Sequence, residues 1–114
     1  MLNVSLISKD LTPTLKKVLV KILTDYEIGI DDFKADVLIG YKEGGFNAWE
    51  YAEAHGKSWV AIDPSKTCTK ELWGVHGLLI ATQSNGAIKT SKHLVNCEMS
   101  DIGTHIRAFI GRIL

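Results

Sequence analysis

Four short and mostly apolar segments recur along the chain, at residues 2–7, 36–40, 59–62 and 78–81. Short apolar runs are typical of strands that are buried on both faces of a parallel sheet. Between the second and third segments, residues 47–55 favour a helix that ends at Gly56. Two strands joined through a helix are most easily built as a parallel, right-handed unit. The pattern therefore predicts four mutually parallel strands in one sheet.

Two further helices are predicted from apolar residues that recur every three or four positions and would face a sheet. The first begins with Thr12 as its N-cap and Pro13 as its first helical residue. The last is capped by Ser100 and Asp101. The apolar positions are Leu15, Val18, Leu19, Ile22 and Leu23 in the first helix, and Ile102, Ile106, Phe109, Ile110 and Ile113 in the last.

The remaining segments carry weaker signals. Residues 25–34 lack periodicity and are predicted to be a connection, whereas residues 69–73 favour a short helix. The Asn85-Gly86 pair is the preferred sequence for a tight hairpin turn, so residues 88–95 are predicted to return as an antiparallel edge strand. The alternative for this part of the chain is a helical turn at residues 91–97.

The order of these elements indicates the class of fold. Strands that alternate with helices are typical of an α/β fold with a mostly parallel sheet. We therefore predict a small Rossmann-like three-layer sandwich with a sheet of four or five strands. A chain of 114 residues also favours a single domain, spanning residues 1–114.

Composition narrows the classes of function. The 13 basic and 13 acidic residues balance, which argues against a broad nucleic-acid surface. No apolar run approaches the roughly 18 residues that a membrane span needs. Met1 leads into a strand pattern without a charged leader, so a cytoplasmic protein is expected. Cys68 and Cys97 are predicted to be free thiols, and the four histidines lack metal-ligand spacing, so neither a metal nor another cofactor is predicted.

A ligand site is expected beyond the carboxyl ends of the strands, where open α/β sheets bind their ligands. Gly44 and Gly45 are predicted to form a turn before a helix, where free N–H groups and the helix dipole would attract a phosphate or carboxylate. The alternative is a purely structural turn. Neighbouring side chains offer positive charge, hydrogen bonds to a sugar or phosphate, and aromatic rings that would stack on a base. The predicted ligand-binding residues are Ser8, Lys9, Asp10, Gly40, Tyr41, Gly44, Gly45, Phe46, Asn47, Asp63 and Ser65.

The central part of the chain shows a family resemblance. An apolar strand beginning with Asp36, then Gly44-Gly45, a helix through residues 48–54 and Gly56 together resemble the SLOG superfamily of Rossmann-like nucleotide-binding domains, which includes small YspA-like proteins. Residues 4–10 also look like the first strand and Ser-Arg-Asp loop of that superfamily, with Lys where Arg is usual. The resemblance implies that the protein binds a nucleotide or nucleotide-derived ligand, which it would sense or sequester.

A second resemblance involves the same helix. The sequence Gly-Phe-Asn-Ala-Trp-Glu-Tyr-Ala at residues 45–52, followed by Gly56-Lys57, is similar to nucleoside deoxyribosyltransferases. A Glu in this helix is the nucleophile of those enzymes, and the resemblance assigns the role to Glu50. It implies an alternative function, the cleavage of a base–sugar N-glycosidic bond. The other interpretation of Glu50 is a solvent-facing residue with no chemical role.

Two further expectations concern protein partners. One alternative function is a protein-interaction module, such as a phage-encoded inhibitor, that has no small-molecule site. In the last helix, Ile110 and Leu114 would lie at or beyond the edge of the buried stripe. Exposed apolar residues at such a position usually mark an interface. A homodimer through the C-terminal helix is therefore predicted.

Overall fold

The computed structural model describes residues 2–29, 34–64, 76–82 and 94–113. In these ranges, six strands form one sheet in the order β2-β1-β3-β4-β5-β6, and every neighbouring pair is parallel. The α/β fold with a parallel sheet is therefore confirmed. The strands are β1 (Asn3–Leu6), β2 (Glu27–Gly29), β3 (Val37–Tyr41), β4 (Ser58–Ile62), β5 (Gly77–Ala81) and β6 (Leu94–Asn96).

In the described ranges, three α-helices accompany the sheet: α1 (Pro13–Ile22), α2 (Glu43–His55) and α3 (Ile102–Ile113). The predicted start of α1 is confirmed, because the Thr12 side chain accepts a hydrogen bond from the backbone N–H of Leu15 at 3.1 Å. The predicted end of α2 is confirmed too. Gly56 has a φ of 66°, in the left-handed region that a side chain would strain, and its N–H caps the helix.

The helices cover both faces of the sheet and make three layers. Successive residues of a strand point to opposite faces, so Val37 and Ile39 pack with α1 and α3, whereas Leu38 packs with α2. On the α2 side the helix presents Ala48 and Ala52, both fully buried, and these small side chains let it approach the sheet closely. The three-layer, Rossmann-like arrangement matches the sequence-based prediction.

The predicted connection at residues 25–34 is partly wrong, because it contains the edge strand β2. Glu27–Gly29 pairs in parallel with β1, with Asn3 opposite Glu27. All three residues of β2 are exposed, so the strand has no apolar run for a sequence pattern to reveal. The sheet therefore has more strands than predicted, and β2 forms the edge next to β1.

The antiparallel edge strand predicted at residues 88–95 is also wrong for the residues of it that the structure describes. Leu94–Asn96 forms β6 and runs parallel to β5, with Leu94 opposite Leu79. This excludes both the antiparallel strand and the helical turn for these residues. The turn predicted at Asn85-Gly86 and the short helix predicted at 69–73 lie outside the described residues.

The last helix differs from the prediction in where it starts and in how wide its buried face is. A 3₁₀ turn at Met99–Asp101 precedes α3, so Ser100 and Asp101 lie within that turn rather than capping the helix. Ile110 was expected at the edge of the buried stripe or beyond it, but it is fully buried because α3 packs against both α1 and the sheet.

Leu114, the other residue behind the predicted dimer seam, lies outside the described residues. The homodimer through α3 thus stays a prediction, without an exposed Ile110 to support it. Within the described ranges, no helix combines the length and the apolar character that crossing a membrane requires.

Candidate functional site

The order of the strands places a topological switch point between β1 and β3. From β1 the chain passes through α1 to β2 on one side, and from β3 it passes through α2 to β4 on the other. The two helices cover opposite faces of the sheet, so the loops that leave β1 and β3 diverge. A crevice beyond the carboxyl ends of two such strands is the usual ligand site of an open α/β sheet.

The loop after β1 forms one wall of this crevice. Its start is tied to the neighbouring strand, because the N–H of Ile7 donates to the carbonyl of Ile39 at 2.9 Å. It then closes a tight turn, in which the N–H of Leu11 donates to the carbonyl of Ser8 at 3.2 Å. Asp10 has a φ of 59°, a conformation that Asp and Asn tolerate better than most residues. The turn leaves the side chains of Ser8, Lys9 and Asp10 exposed.

The turn from β3 into α2 is a single residue long. Lys42 adopts φ 53° and ψ −122°, and its N–H donates to the carbonyl of Ile62 at 3.0 Å. Its carbonyl accepts from the N–H of Gly45 at 2.9 Å. Because α2 begins at Glu43, the prediction of a helix starting at residue 47 is wrong. Gly44 and Gly45 lie in the first turn of the helix, not in a loop before it.

Three glycines allow backbone to pack on backbone at this point. A Cβ atom on Gly40 would overlap the carbonyl of Gly44, and one on Gly44 would overlap the carbonyl of Lys9. A Cβ atom on Gly45 would lie 3.0 Å from the Cβ of Ala61, tighter than ordinary packing. These contacts give the glycines a structural role: they seat the start of α2 on β3, β4 and the loop after β1.

A carboxylate from the same chain faces the start of α2. The N–H of Glu43, the first residue of the helix, donates to Oδ2 of Asp10 at 3.3 Å. The Glu43 carboxylate in turn lies 3.2 Å from Nζ of Lys9, in an exposed ion pair. The positive end of a helix dipole favours a negative charge. Asp10 supplies that charge from a loop 33 positions away in the chain.

A cleft of about 450 Å³ opens between the loop after β1 and one flank of α2. Its volume is within the range of small-molecule sites. The rings of Tyr51 and His55 lie 4.2 Å apart between centroids and form an aromatic surface on the helix side. The residues lining the cleft are Ile7, Ser8, Lys9, Asn47, Glu50, Tyr51, Ala54 and His55.

The structure brings some of the predicted site residues together and separates others. Ser8, Lys9 and Asn47 line the cleft, and so does Glu50, the predicted nucleophile. Asp10 and the three glycines lie beside it at the start of α2, as described above. Ser65 lies outside the described residues.

Three predicted residues lie elsewhere. Tyr41 packs partly buried on the opposite face of the sheet, with α1 and α3. Phe46 contacts Trp49, with 5.4 Å between ring centroids, and neither residue lines the cleft. Asp63 accepts hydrogen bonds from the N–H and the hydroxyl of Thr82, so it links the ends of β4 and β5. The stacking of a base on Tyr41 or Phe46 thus stays a prediction that the cleft does not support.

The sequence analysis missed four residues that line the cleft: Ile7, Tyr51, Ala54 and His55. A signal for two of them was present, since Tyr51 and Ala54 follow Asn47 and Glu50 at the spacing of one helix flank. Within the described ranges, no three His, Cys, Asp or Glu side chains lie together where they could hold a metal ion.

Comparison of this chain with protein-family models, curated proteins and solved structures finds no significant match. The similarities to the SLOG superfamily and to nucleoside deoxyribosyltransferases thus rest on the residues quoted above. Membership of either family stays a prediction, and the cleft itself has to support any function.

Proposed function

We propose that this protein binds a nucleotide-derived small molecule, with its base and sugar in the cleft between the loop after β1 and α2. The observation that carries the proposal is the position of the cleft, which begins at the loop after β1 at the topological switch point and continues along the flank of α2. There, polar side chains from two separate elements face a common space, as they do in most ligand sites of this architecture.

The residues that line the cleft suit such a ligand. The Asn47 carboxamide both donates and accepts hydrogen bonds, as the edge of a base requires, and the Ser8 hydroxyl can do the same for a sugar. The rings of Tyr51 and His55, which are in contact with 35° between their planes, add an aromatic surface next to these polar groups. Sensing or sequestering the ligand needs nothing more than this set of contacts.

Glu50 supports a second candidate function, the cleavage of the bond between base and sugar. Its carboxylate lines the same cleft, which is where a nucleophile for a bound nucleoside would have to be. In the proposed step, a carboxylate oxygen bonds to the anomeric carbon and the C–N bond breaks. The base leaves with the electron pair and takes a proton from solvent, and water then hydrolyses the sugar ester.

Thermal unfolding in the presence of nucleosides and nucleotides tests the binding proposal. A ligand present at 100 times its dissociation constant should add about 2.7 kcal/mol to the free energy of unfolding. Asn47→Leu should remove the ligand-induced shift of the unfolding transition, because it replaces the carboxamide with an apolar group of similar size. No shift with any of these compounds would contradict the proposal and favour the protein-interaction module.

Chromatographic detection of free base released from nucleosides tests the second candidate function. If the protein is such an enzyme, Glu50→Gln should abolish release from a nucleoside that the wild type cleaves. Glu53→Gln is a matched control on the same helix, because Glu53 accepts a hydrogen bond from Nε1 of Trp59 at 3.1 Å and does not line the cleft. No release by the wild type from any ribo- or deoxyribonucleoside would exclude the enzymatic role.

A further inference from the structure

We infer that the cleft discriminates against phosphorylated ligands and prefers nucleosides to nucleotides, with Asp10 as the residue that sets this specificity. The inference rests on the proposed binding function and adds to it the charge that the ligand must have. It follows from two contacts at the start of α2, the hydrogen bond from Glu43 to Asp10 and the ion pair between Lys9 and Glu43.

The first contact concerns the usual place of a phosphate. In Rossmann-like proteins, the start of the helix that follows a strand is a natural anion site, because its N–H groups and dipole favour negative charge. Here Oδ2 of Asp10 lies 3.3 Å from the N–H of Glu43. A phosphate at this position would have to displace the Asp10 carboxylate or sit beside it, and like charges at that range repel.

The second contact concerns the cation that would hold a phosphate. Among the described residues that line the cleft, Lys9 is the only lysine or arginine. Its Nζ lies 3.2 Å from the Glu43 carboxylate. To bind a phosphate, Lys9 would have to leave a partner that lies next to the same site, so its charge is already partly neutralised.

The charged side chains around the cleft support the same inference. Lys9 and Glu50 line the cleft with one charge of each sign, and the carboxylates of Asp10 and Glu43 at the start of α2 add two negative charges. A nucleoside carries no charge and meets no repulsion there. A nucleoside 5′-monophosphate carries nearly two negative charges at neutral pH and is repelled.

Calorimetric titration with adenosine, guanosine, cytidine and thymidine, and with their 5′-monophosphates, tests the inference. For any nucleoside that binds, the monophosphate should bind at least about tenfold more weakly at low salt. The ratio should shrink as salt is raised, because the repulsion is screened. A wild type that binds the monophosphate as tightly as the nucleoside overturns the inference but leaves the binding proposal standing. Failure of both kinds of compound to bind overturns the binding proposal and the inference with it.

Charge-removing variants assign the effect to Asp10. Asp10→Asn keeps an oxygen acceptor and tolerates the backbone at φ 59°, so the fold should be retained while the nucleoside preference falls to less than about threefold. Asp36→Asn is the matched control. Asp36 accepts a hydrogen bond from the N–H of Asn3 at the opposite edge of the sheet, so its loss should leave the preference unchanged. An equal change in both variants would overturn the assignment to Asp10. Should Asp10→Asn fail to fold, the salt dependence of the wild type still decides the electrostatic claim.

Discussion

The carbonyl of Gly44 lies so close to the Cα atom of Gly40 that a Cβ atom on Gly40 would overlap it. The two residues flank Lys42, the single residue that turns the chain from β3 into α2. Their contact sets the position of the start of α2 over the sheet. The cleft wall that α2 forms therefore depends on Gly40, a position at which no side chain fits.

Gly40→Ala should destabilise the protein, because α2 would have to shift away from β3 to make room for a methyl group. Overpacking of this kind costs about 1–3 kcal/mol. Urea denaturation should show a lower midpoint with an unchanged dependence on denaturant concentration.

Gly111→Ala is the matched control for that change. Gly111 lies in α3 with nothing within 4 Å of a Cβ atom, so the same substitution should stabilise the protein, by about 0.5–1 kcal/mol. Destabilisation of equal size in the two variants would contradict the close contact described for Gly40.

Lys42→Gly should stabilise the protein, although it removes a side chain. Lys42 is held at φ 53° and ψ −122°, where a non-glycine residue is strained by about 1–3 kcal/mol. The greater freedom of glycine in the unfolded chain offsets about 0.5–1 kcal/mol of this. We expect a net gain of about 1 kcal/mol in the free energy of unfolding.

Asp63→Gly provides the contrast at a second residue with positive φ, 45° in this case. Its carboxylate accepts hydrogen bonds from the N–H and the hydroxyl of Thr82, which glycine cannot replace. This variant should lose stability, by about 1 kcal/mol or more. A gain in both variants would show that backbone strain outweighs the Asp63–Thr82 contact.

Cys97 should react slowly with iodoacetamide at neutral pH. Burial raises the pKa of the Cys97 thiol, and the carboxylates of Asp101 and Asp63 raise this pKa further. A Cys68→Ser background leaves Cys97 as the one cysteine. In this variant the reaction rate should rise with pH, and the pH at the midpoint of the rise should be higher than for an unfolded cysteine peptide. Asp101→Asn should lower the midpoint. A wild-type midpoint at or below that of the peptide would contradict the described environment.

The raised pKa of Cys97 also has a consequence for the stability of the protein. A thiol whose pKa is higher in the folded state favours folding while it is protonated in both states. This contribution is complete below the pKa of the unfolded chain and is lost as the pH rises through the folded pKa. Stability should therefore fall at alkaline pH, and the fall should be smaller in Cys97→Ala.

Most of the sheet was predictable from the sequence, because strands buried on both faces carry uninterrupted apolar runs. Val60 and Leu79 lie in two such runs and are fully or almost fully buried. Glu27–Gly29 was not predictable in this way, since an exposed edge strand of three residues has no apolar signature. The direction of Leu94–Asn96 was missed for a different reason. A short strand carries little information on whether it pairs in parallel, and the Asn-Gly pair favoured a hairpin.

Four of the predicted site residues line the cleft, Ser8, Lys9, Asn47 and Glu50, but the start of α2 was predicted in the wrong place. Lys42 caps α2 without any side-chain hydrogen bond, so the usual N-cap residues gave no signal, and the Gly44-Gly45 pair was interpreted as a turn. The contact between Asp10 and Glu43 joins residues 33 positions apart. Such a contact depends on the register of β1 against β3, which local sequence patterns do not encode.

Nuclear magnetic resonance gives the most direct test of the central claim, that the cleft between the loop after β1 and α2 is the ligand site. A nucleoside would be titrated into uniformly ¹⁵N-labelled protein while the backbone amide signals are followed. We predict that the largest shifts occur at Ser8, Lys9, Asn47 and Tyr51, and that Val95 in β6, at the far edge of the sheet, does not respond. Shifts centred instead on Asp63 and Thr82, or no shifts with any nucleoside, would contradict the claim.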